Sequence, residues 1–508
     1  MNPAELTASA EWSDLESKRT GKMSRIERLA EITIPSVALD SSYDSGHDDL
    51  TNGASSLGSQ CATHLVNKLM LAMFGTSRPF FRLALAEAEA AALAEKVGIT
   101  LDELTDMLAQ GERDATLELE MIAGRDTLYE IMTHLVVAGD VLMDLSEKDT
   151  IQAHPLCNYV VRRDRKGKPV VIIIRECVRY DELDEEAQKF VPPGNNPDTE
   201  HHVYTHIKRK GDKMVMNLWI DHVKLPYDKF GGSWKIEDCP YIPLTWRLPL
   251  RQHYGVGRVE EYFADFAAYE TQAESLSEGA VLAAQFRWLQ NPGGITRPED
   301  MANSKNGDII PGVKGDLELV FSNIGQQLST VLTISQEFSR RLGAGFLINS
   351  AVTRDAERVT AEEIRLQAQE LEQSLGGVYS RLAKEIQKPL SRWLLERIDL
   401  SIKGTKITPV VMTGLDALSR NADLERLLMW LQDVTSLGGI PPEQRMMLQE
   451  SNIIADMAAG RGVNTKRYLA SATEVQARMQ QLQNQQAAAG QAPDGQAAPN
   501  IPSDGATA

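Results

Sequence analysis

Asp44, His47, Asp48 and Asp49 place three carboxylates and an imidazole within six residues, the donor types with which a metal-dependent nuclease would activate water. All four fall in a polar stretch, Asp40 to Asn52, whereas metal centres gather ligands from separate rigid elements with supporting hydrogen bonds. A solvated acidic loop is the simpler reading. His201, His202 and His206 form a second cluster on a β-like run, where adjacent side chains point to opposite faces, so at most two of them converge. Gly255-Val256-Gly257 lacks the third glycine and the preceding βαβ unit of a dinucleotide site and reads as a strand-to-helix turn. No G-x-x-x-x-G-K-[ST] occurs, so a P-loop ATPase is excluded. Cys61, Cys157, Cys177 and Cys239 lie far apart without a C-x-x-C pair, which signals neither a disulfide framework nor a zinc cluster. With no paired base and nucleophile and no complete ligand set, an enzyme is not expected, and neither is a cofactor or a metal.

One polar stretch is left unexplained by packing. Asn349 opens it, and Arg354, Asp355, Glu357 and Arg358 crowd a short connection between two helical patterns, as in a loop held out toward solvent or a charged partner. Behind it, Thr360 and Glu363 form a capping box, in which hydroxyl and carboxylate each satisfy a free backbone N–H, so a helix is predicted from about Ala361. Ile364, Ala368, Leu371 and Leu375 then give one apolar stripe until Gly376 and Gly377 interrupt it.

The elements that must position this loop make an α+β, predominantly helical chain. Helices are predicted over Trp12 to Ile34, stopping before Pro35, and over Gly58 to Met73, Leu83 to Gly111 and Thr116 to Ala138. Val141 to Val223 is β-rich, with a hairpin turn at Lys166-Gly167. Arg258 to Phe286 reads as one helix of about 29 residues, about 43 Å long. Tyr262, Phe266, Tyr269, Ala273, Leu276 and Ala280 mark one of its faces, and many small residues keep it slim. A second helix, Gln326 to Leu342, returns, and the two enclose an insert, Arg287 to Gly325, with short strands expected around Asn306-Gly307. After Gly377, Val378, Leu382, Ile386, Leu390 and Leu394 continue a stripe kinked near Pro389. A strand over Lys406 to Met412 and three helices over Asp416 to Leu437, Pro442 to Ala459 and Thr465 to Asn484 follow. Gln485 to Ala508 is low in complexity and expected to be disordered.

Of the 508 residues, 42% are hydrophobic and 24% charged, the balance of an ordinary ordered chain of two to four domains at roughly 100–200 residues each. The net charge of −18 argues against tight wrapping of nucleic acid, for which Lys and Arg must neutralise phosphates. Met1 to Thr20 is polar and acidic and no apolar run nears the length of a membrane span, so neither a signal peptide nor a membrane partner is expected, and the setting is read as cytoplasmic.

Nine short words occur in the order in which they occur in the portal, or head-to-tail connector, proteins of short-tailed bacteriophages. They are VNKLMLAMF (Val66–Phe74), PFFRL (Pro79–Leu83), LVVAGDVL (Leu135–Leu142), CPYIPL (Cys239–Leu244), YGVGRVEEY (Tyr254–Tyr262), NPGGIT (Asn291–Thr296), LINSAV (Leu347–Val352), RVTAEEIR (Arg358–Arg365) and LGGVYS (Leu375–Ser380). The chain resembles that family from about Met23 to Arg478. The resemblance implies a wing over 1–257, a first stem helix over 258–286, a clip over 287–325 and a second stem helix over 326–345. A tunnel loop with wing helices over 346–414, a crown over 415–484 and a tail over 485–508 complete it.

The resemblance further implies a homo-oligomeric ring, a dodecamer, at one capsid vertex of the virion, assembled in the host cytoplasm. Viral double-stranded DNA would enter and leave through it, with terminase large subunit, tail adaptor proteins, scaffold and major capsid protein as partners. Asn349, Arg354, Asp355, Glu357 and Arg358 would border the DNA channel, the arginines meeting phosphates briefly and the acids limiting residence. Glu260, Glu261, Asp265, Glu270, Glu274 and Glu278 would make an electronegative wall along which DNA slides. Ala273, Leu276 and Ala280 would pack neighbouring stems in a heterologous interface that closes. A scaffold-type assembly protein, the alternative, would be mostly helical and lack the β-rich middle; a nuclease would rest on the Asp44 to Asp49 cluster.

Overall fold

A computed structural model describes residues 7–39, 53–75, 79–84, 100–191, 200–285, 287–320, 325–348 and 369–398, the short segments 401–402, 405–406 and 410–413, and a few isolated positions elsewhere. The chain divides into two units, Met1–Leu418 and Ser419–Ala508, and every element below belongs to the first. The expected crown helices, the tail and the Thr360/Glu363 capping box lie outside the described residues.

The amino-terminal helix α1 (Ala8–Glu31) starts where the Thr7 hydroxyl accepts from the Ala10 N–H at 3.3 Å, and ends before a 3-10 turn, Pro35–Ala38. Helix α2 (Leu57–Met73) and strand β1 (Phe81–Ala84) follow. Helices α3 (Leu101–Met121) and α4 (Gly124–Val137) differ from the predicted bounds: α3 runs through Gly111, and the break falls at Ala123, whose φ is 52°. Two helices meet tightly here because a Cβ on Gly124 would lie 2.5 Å from the Leu119 side chain.

The β-rich middle forms two antiparallel sheets. In the smaller, β2 (Asp140–Asp144) lies between β3 (Gln152–His154) and β10 (Tyr241–Thr245). The larger has six strands: β4 (Tyr159–Arg163), β5 (Pro169–Arg179), β6 (Glu200–Lys210), β7 (Lys213–Ile220) and β8 (Val223–Lys224) in that order, with β9 (Gly232–Lys235) also on β7. Alternation assigns its faces. Val161, Ile172, Ile174 and Ile207 point into the main core with α2 and α4, while Val160, Val171, Ile173 and Tyr204 point the other way, onto Trp12 and Leu15 of α1. This sheet answers the test that separates the chain from an all-helical assembly protein.

Past the small sheet the long helix is not continuous. A short turn, Arg258–Glu261, is followed by α5 (Phe263–Ala283), with Tyr262 out of helical geometry at φ −109°, ψ 12°. Its ring is held between Arg258 and Phe346, centroids 4.7 and 5.5 Å away. The insert has strands, at β11 (Arg287–Gln290) and β12 (Leu317–Val320) and not beside Asn306-Gly307, where Gly307 at φ 97° makes a turn. Helix α6 (Gly325–Gly345) returns along α5, and a Cβ on Gly279 would sit 2.5 Å from Leu328. Finally, α7 runs through Val378–Leu382, a π turn at Ala383–Gln387 and Lys388–Arg397; the predicted kink is this π turn, placed just ahead of Pro389, which has no N–H to give. The chain closes through hairpin β13 (Ser401–Ile402)/β14 (Thr405–Lys406) and β15 (Val410–Thr413), which pairs with β1.

Glu11, buried on α1, fastens this helix to the large sheet. Its carboxylate lies 3.2 Å from His206 and 3.3 Å from Lys208, and the His206 contact, with help from Lys208, holds it at about 2 against the cost of burial. Because the folded value lies below the ordinary 4.5, this contribution is complete above pH 4.5 and disappears as pH falls toward 2. Glu11→Gln is expected to cost about 1.5–3 kcal/mol at pH 7 and to flatten the stability profile between pH 4.5 and 2, measured by denaturant melts across that range.

Candidate functional site

The predicted tunnel residues Asn349, Arg354, Asp355, Glu357 and Arg358 lie outside the described residues; their flanks do not. Both flanks are tied to α2. His64 Nε2 is 3.0 Å from the Leu347 carbonyl, at a residue whose φ is 62°, and one helical turn on, Lys68 is 3.5 Å from Glu370. Further along the same helix, the Ala72 carbonyl accepts from the Tyr379 hydroxyl at 3.2 Å and the Met73 carbonyl from the Gln387 amide at 2.7 Å. Helix α2, which carries most of VNKLMLAMF, is thus the rail to which the segments on either side of 349–368 are fixed.

The root of the helix hairpin is a buried charge cluster that motif reading did not single out. Lys22, on α1 and 6% exposed, donates to the Gly255 carbonyl at 2.7 Å and Glu260 at 2.9 Å, and stands 3.8 Å from Asp140. Asp140, fully buried at the start of β2, accepts from the Gly255 N–H with both oxygens, at 2.8 and 2.9 Å. Burial pushes its carboxyl up to about 6, with Lys22 opposing. The signal was in the glycines. A Cβ on Gly139 would lie 2.4 Å from the Gly257 nitrogen, and one on Gly257 would lie 2.6 Å from the Val137 carbonyl, so LVVAGDVL and YGVGRVEEY are two backbones in contact. Gly255-Val256-Gly257, read from the sequence as a strand-to-helix turn, packs closely against the backbone at Val137 and Gly139.

The acidic row is mostly committed within the subunit. Glu260 also meets Arg25 at 3.2 Å, Glu261 meets Arg258 at 2.9 Å and Arg247 at 3.1 Å, Asp265 faces Arg341 at 3.8 Å, and Glu270 accepts from the Ser55 N–H at 3.1 Å and from its hydroxyl. Only Glu274 and Glu278 are exposed and without an ionic partner among the described residues. On the predicted packing face, Phe266 is buried, Ala273 and Leu276 are half-buried and Ala280 is exposed, so the stripe emerges from its own subunit toward the outer end. Val281, Leu282, Trp288, Leu289, Ile295, Ile309, Leu332 and Ile334 are exposed around that end.

The histidines do not converge. His201 contacts Asp221 at 2.9 Å, His202 contacts Cys177 at 3.2 Å and His206 contacts Glu11. Asp44 and Asp48 lie outside the described residues, among which no group of three or more His, Cys, Asp or Glu side chains could hold a metal ion. No helix among them is long and apolar enough to cross a membrane. Lys22→Met leaves Asp140 and Glu260 facing each other without their cation; it should cost about 3–5 kcal/mol in denaturant melts and loosen hydrogen-exchange protection at the start of β2 and at Arg258–Glu261 together.

Residues 5–468 match the family model described as bacteriophage head to tail connecting protein. The portal protein of Enterobacteria phage SP6 is 30% identical over 484 residues, covering 94% of this chain and 92% of that one. For the portal protein of Pseudomonas phage phiKMV the identity is 32% over 500 residues, 96% of each, and for that of Escherichia phage T7 it is 31% over 437 residues, 84% of this chain and 81% of that one. A chain in the neck of an empty GTA particle, computed with C6 symmetry, is similar at 11% identity and a TM-score of 0.40, over 76% of this chain and 91% of that one. The chain with the Lys22 root, the exposed hairpin and the clasped loop flanks belongs to the bacteriophage head to tail connecting family, and is a portal protein.

Proposed function

We propose that copies of this chain close into a ring of twelve at one capsid vertex, with α5 and α6 as the stem, the insert 287–325 as the clip and the segment 349–358 bordering a channel for double-stranded DNA. The observation that carries this reading is the helix hairpin, packed at its root and unfinished at its outer end. A soluble monomer seldom leaves so many large apolar side chains exposed in one region, and a neighbouring copy removes them from water. Because one copy offers this region to a different surface of the next, the contact is heterologous and makes a ring when its rotation closes. Small residues on α5, Ala280 among them, admit the close approach.

The channel reading rests on charge. Glu274 and Glu278 are the acids of α5 left to act on passing phosphates, while Arg354 and Arg358 supply short-lived attraction. Portal rings are conduits and platforms: terminase large subunit acts on this one during packaging, tail adaptors seat on the insert afterward, and scaffold and major capsid protein surround the wing. No bond-making step is assigned to the chain. The virion vertex is its destination and the host cytoplasm the place of assembly.

Negative-stain microscopy of the purified chain should show annular particles with an open bore. Ala280→Trp should abolish them while leaving the subunit's circular dichroism unchanged, because Ala280 is exposed in the subunit; Ala273→Trp should weaken them and also destabilise the subunit, because Ala273 is half-buried. Rings indistinguishable from wild type in Ala280→Trp would remove the stem interface from the account. Neutralising Arg354 and Arg358 together should leave rings intact and reduce the DNA retained in filled heads, read by nuclease-protected genome per particle; full retention would remove the channel role from those two residues.

A further inference from the structure

One end of the six-stranded sheet carries a row of exposed cations. The β4–β5 turn supplies Arg165, Lys166 and Lys168, the β6–β7 turn supplies Lys210 and Lys213, and Lys235 ends β9; all six are exposed. Strand order puts the two turns and the end of β9 at the same edge, a row about 20 Å across at about 4.8 Å per strand. Register makes the crowding sharper. Lys213 is the direct cross-strand partner of Lys210 on one side and of Lys235 on the other. Like charges directly opposite one another destabilise a sheet.

Two acids lie in these turns: Asp212, exposed between Lys210 and Lys213, and Asp164, which is already used. Asp164 accepts from the Lys166 and Lys168 N–H groups, both at 2.9 Å, and from Arg209 at 3.0 Å, which leaves the side chains of Arg165, Lys166 and Lys168 facing outward. Those three, with Lys213 and Lys235, have no carboxylate partner among the described residues. Such a local excess, on a chain of net charge −18, is a site for a polyanion.

Two polyanions could lie there, and the composition of the row separates them. An acidic protein partner calls for an aromatic or apolar core, and lysine is depleted in such interfaces. None of the exposed large apolar side chains falls in 162–168, 208–214 or at 235, and five of the six cations are lysines, point charges that suit a repeating phosphate without selecting its geometry. We propose that this sheet end binds the phosphate backbone of duplex DNA, without reading bases and independently of ring closure and of residues 349–358.

The test is fluorescence anisotropy of a labelled mixed-sequence duplex of about 30 base pairs with the full chain, between 50 and 200 mM salt. The wild type should show log K falling with log salt at a slope of about −4 to −5. Lys166→Gln, Lys168→Gln, Lys213→Gln and Lys235→Gln combined should lose at least about tenfold in affinity at 50 mM and flatten the slope by about 3 to 4, while the same four changed to Arg should retain binding. The Gln variant should also melt no lower than wild type, since it relieves the Lys210, Lys213 and Lys235 crowding. Equal binding by the Gln variant and wild type would overturn the proposal, as would displacement of the duplex by poly-glutamate as effectively as by unlabelled duplex. Because the subunit's rings are scored separately by microscopy, losing this site and losing the portal reading give different results.

Discussion

One buried ammonium ties together the elements from which the helix hairpin springs. Lys22 is the point where α1, the start of β2, the loop at Gly255 and the first turn before α5 meet, and it reaches three of them with one side chain. Burying such a group costs several kcal/mol in lost hydration, which two carboxylates and a carbonyl offset only in a single geometry. That makes the cluster a poor source of net stability and a strong source of definition. An apolar contact would tolerate a few degrees of rocking; a cation shared between Asp140 and Glu260 does not, because any shift leaves a buried charge uncompensated. In a closed ring an error in the angle of one stem is repeated at every interface, so definition at the root is what closure requires.

The hairpin itself shows the opposite design along its length. Near the root Phe266 packs on Phe346 with centroids 5.4 Å apart, and Arg258 donates to the Gly345 carbonyl at 2.9 Å. Toward the outer end Gly279 packs closely against Leu328, and many of the surrounding apolar side chains are exposed. The subunit is thus rigid where it is attached and incomplete where copies would meet. Packing between copies then adds burial without having to correct the direction of the helices.

Legibility in the sequence followed periodicity. Strands β4 to β7 were readable because alternation survives on a sheet buried on both faces by different partners, α1 on one and the core on the other. The helix breaks at Tyr262 and Ala123 were not, because there the chain breaks where a side chain is trapped: Tyr262 by Arg258 and Phe346, Ala123 by the approach of Leu119 to Gly124. Those are contacts between residues distant in the sequence or set by a neighbour's volume, and no hydrophobic period encodes them. The same reason hid the Lys22 cluster. A lysine on a polar helix face looks solvated until the partner 233 residues away is known. Family words recovered the neighbourhood of the site, since GD and GVG are the two backbones in contact, but not the cation between them.

Charge is sorted within the subunit in a way that net charge conceals. Of the six acids from Glu260 to Glu278, four are committed within the subunit, leaving Glu274 and Glu278 open, whereas the sheet end concentrates lysines in excess of the acids beside them. At physiological salt the screening length is about 8 Å, so these regions act on a phosphate backbone as separate local fields and not as one average. A surface that averaged to −18 everywhere would only repel DNA. Sorted as it is, the subunit can repel along one element and hold at another, and a conduit that must let a polymer slide without losing it needs both.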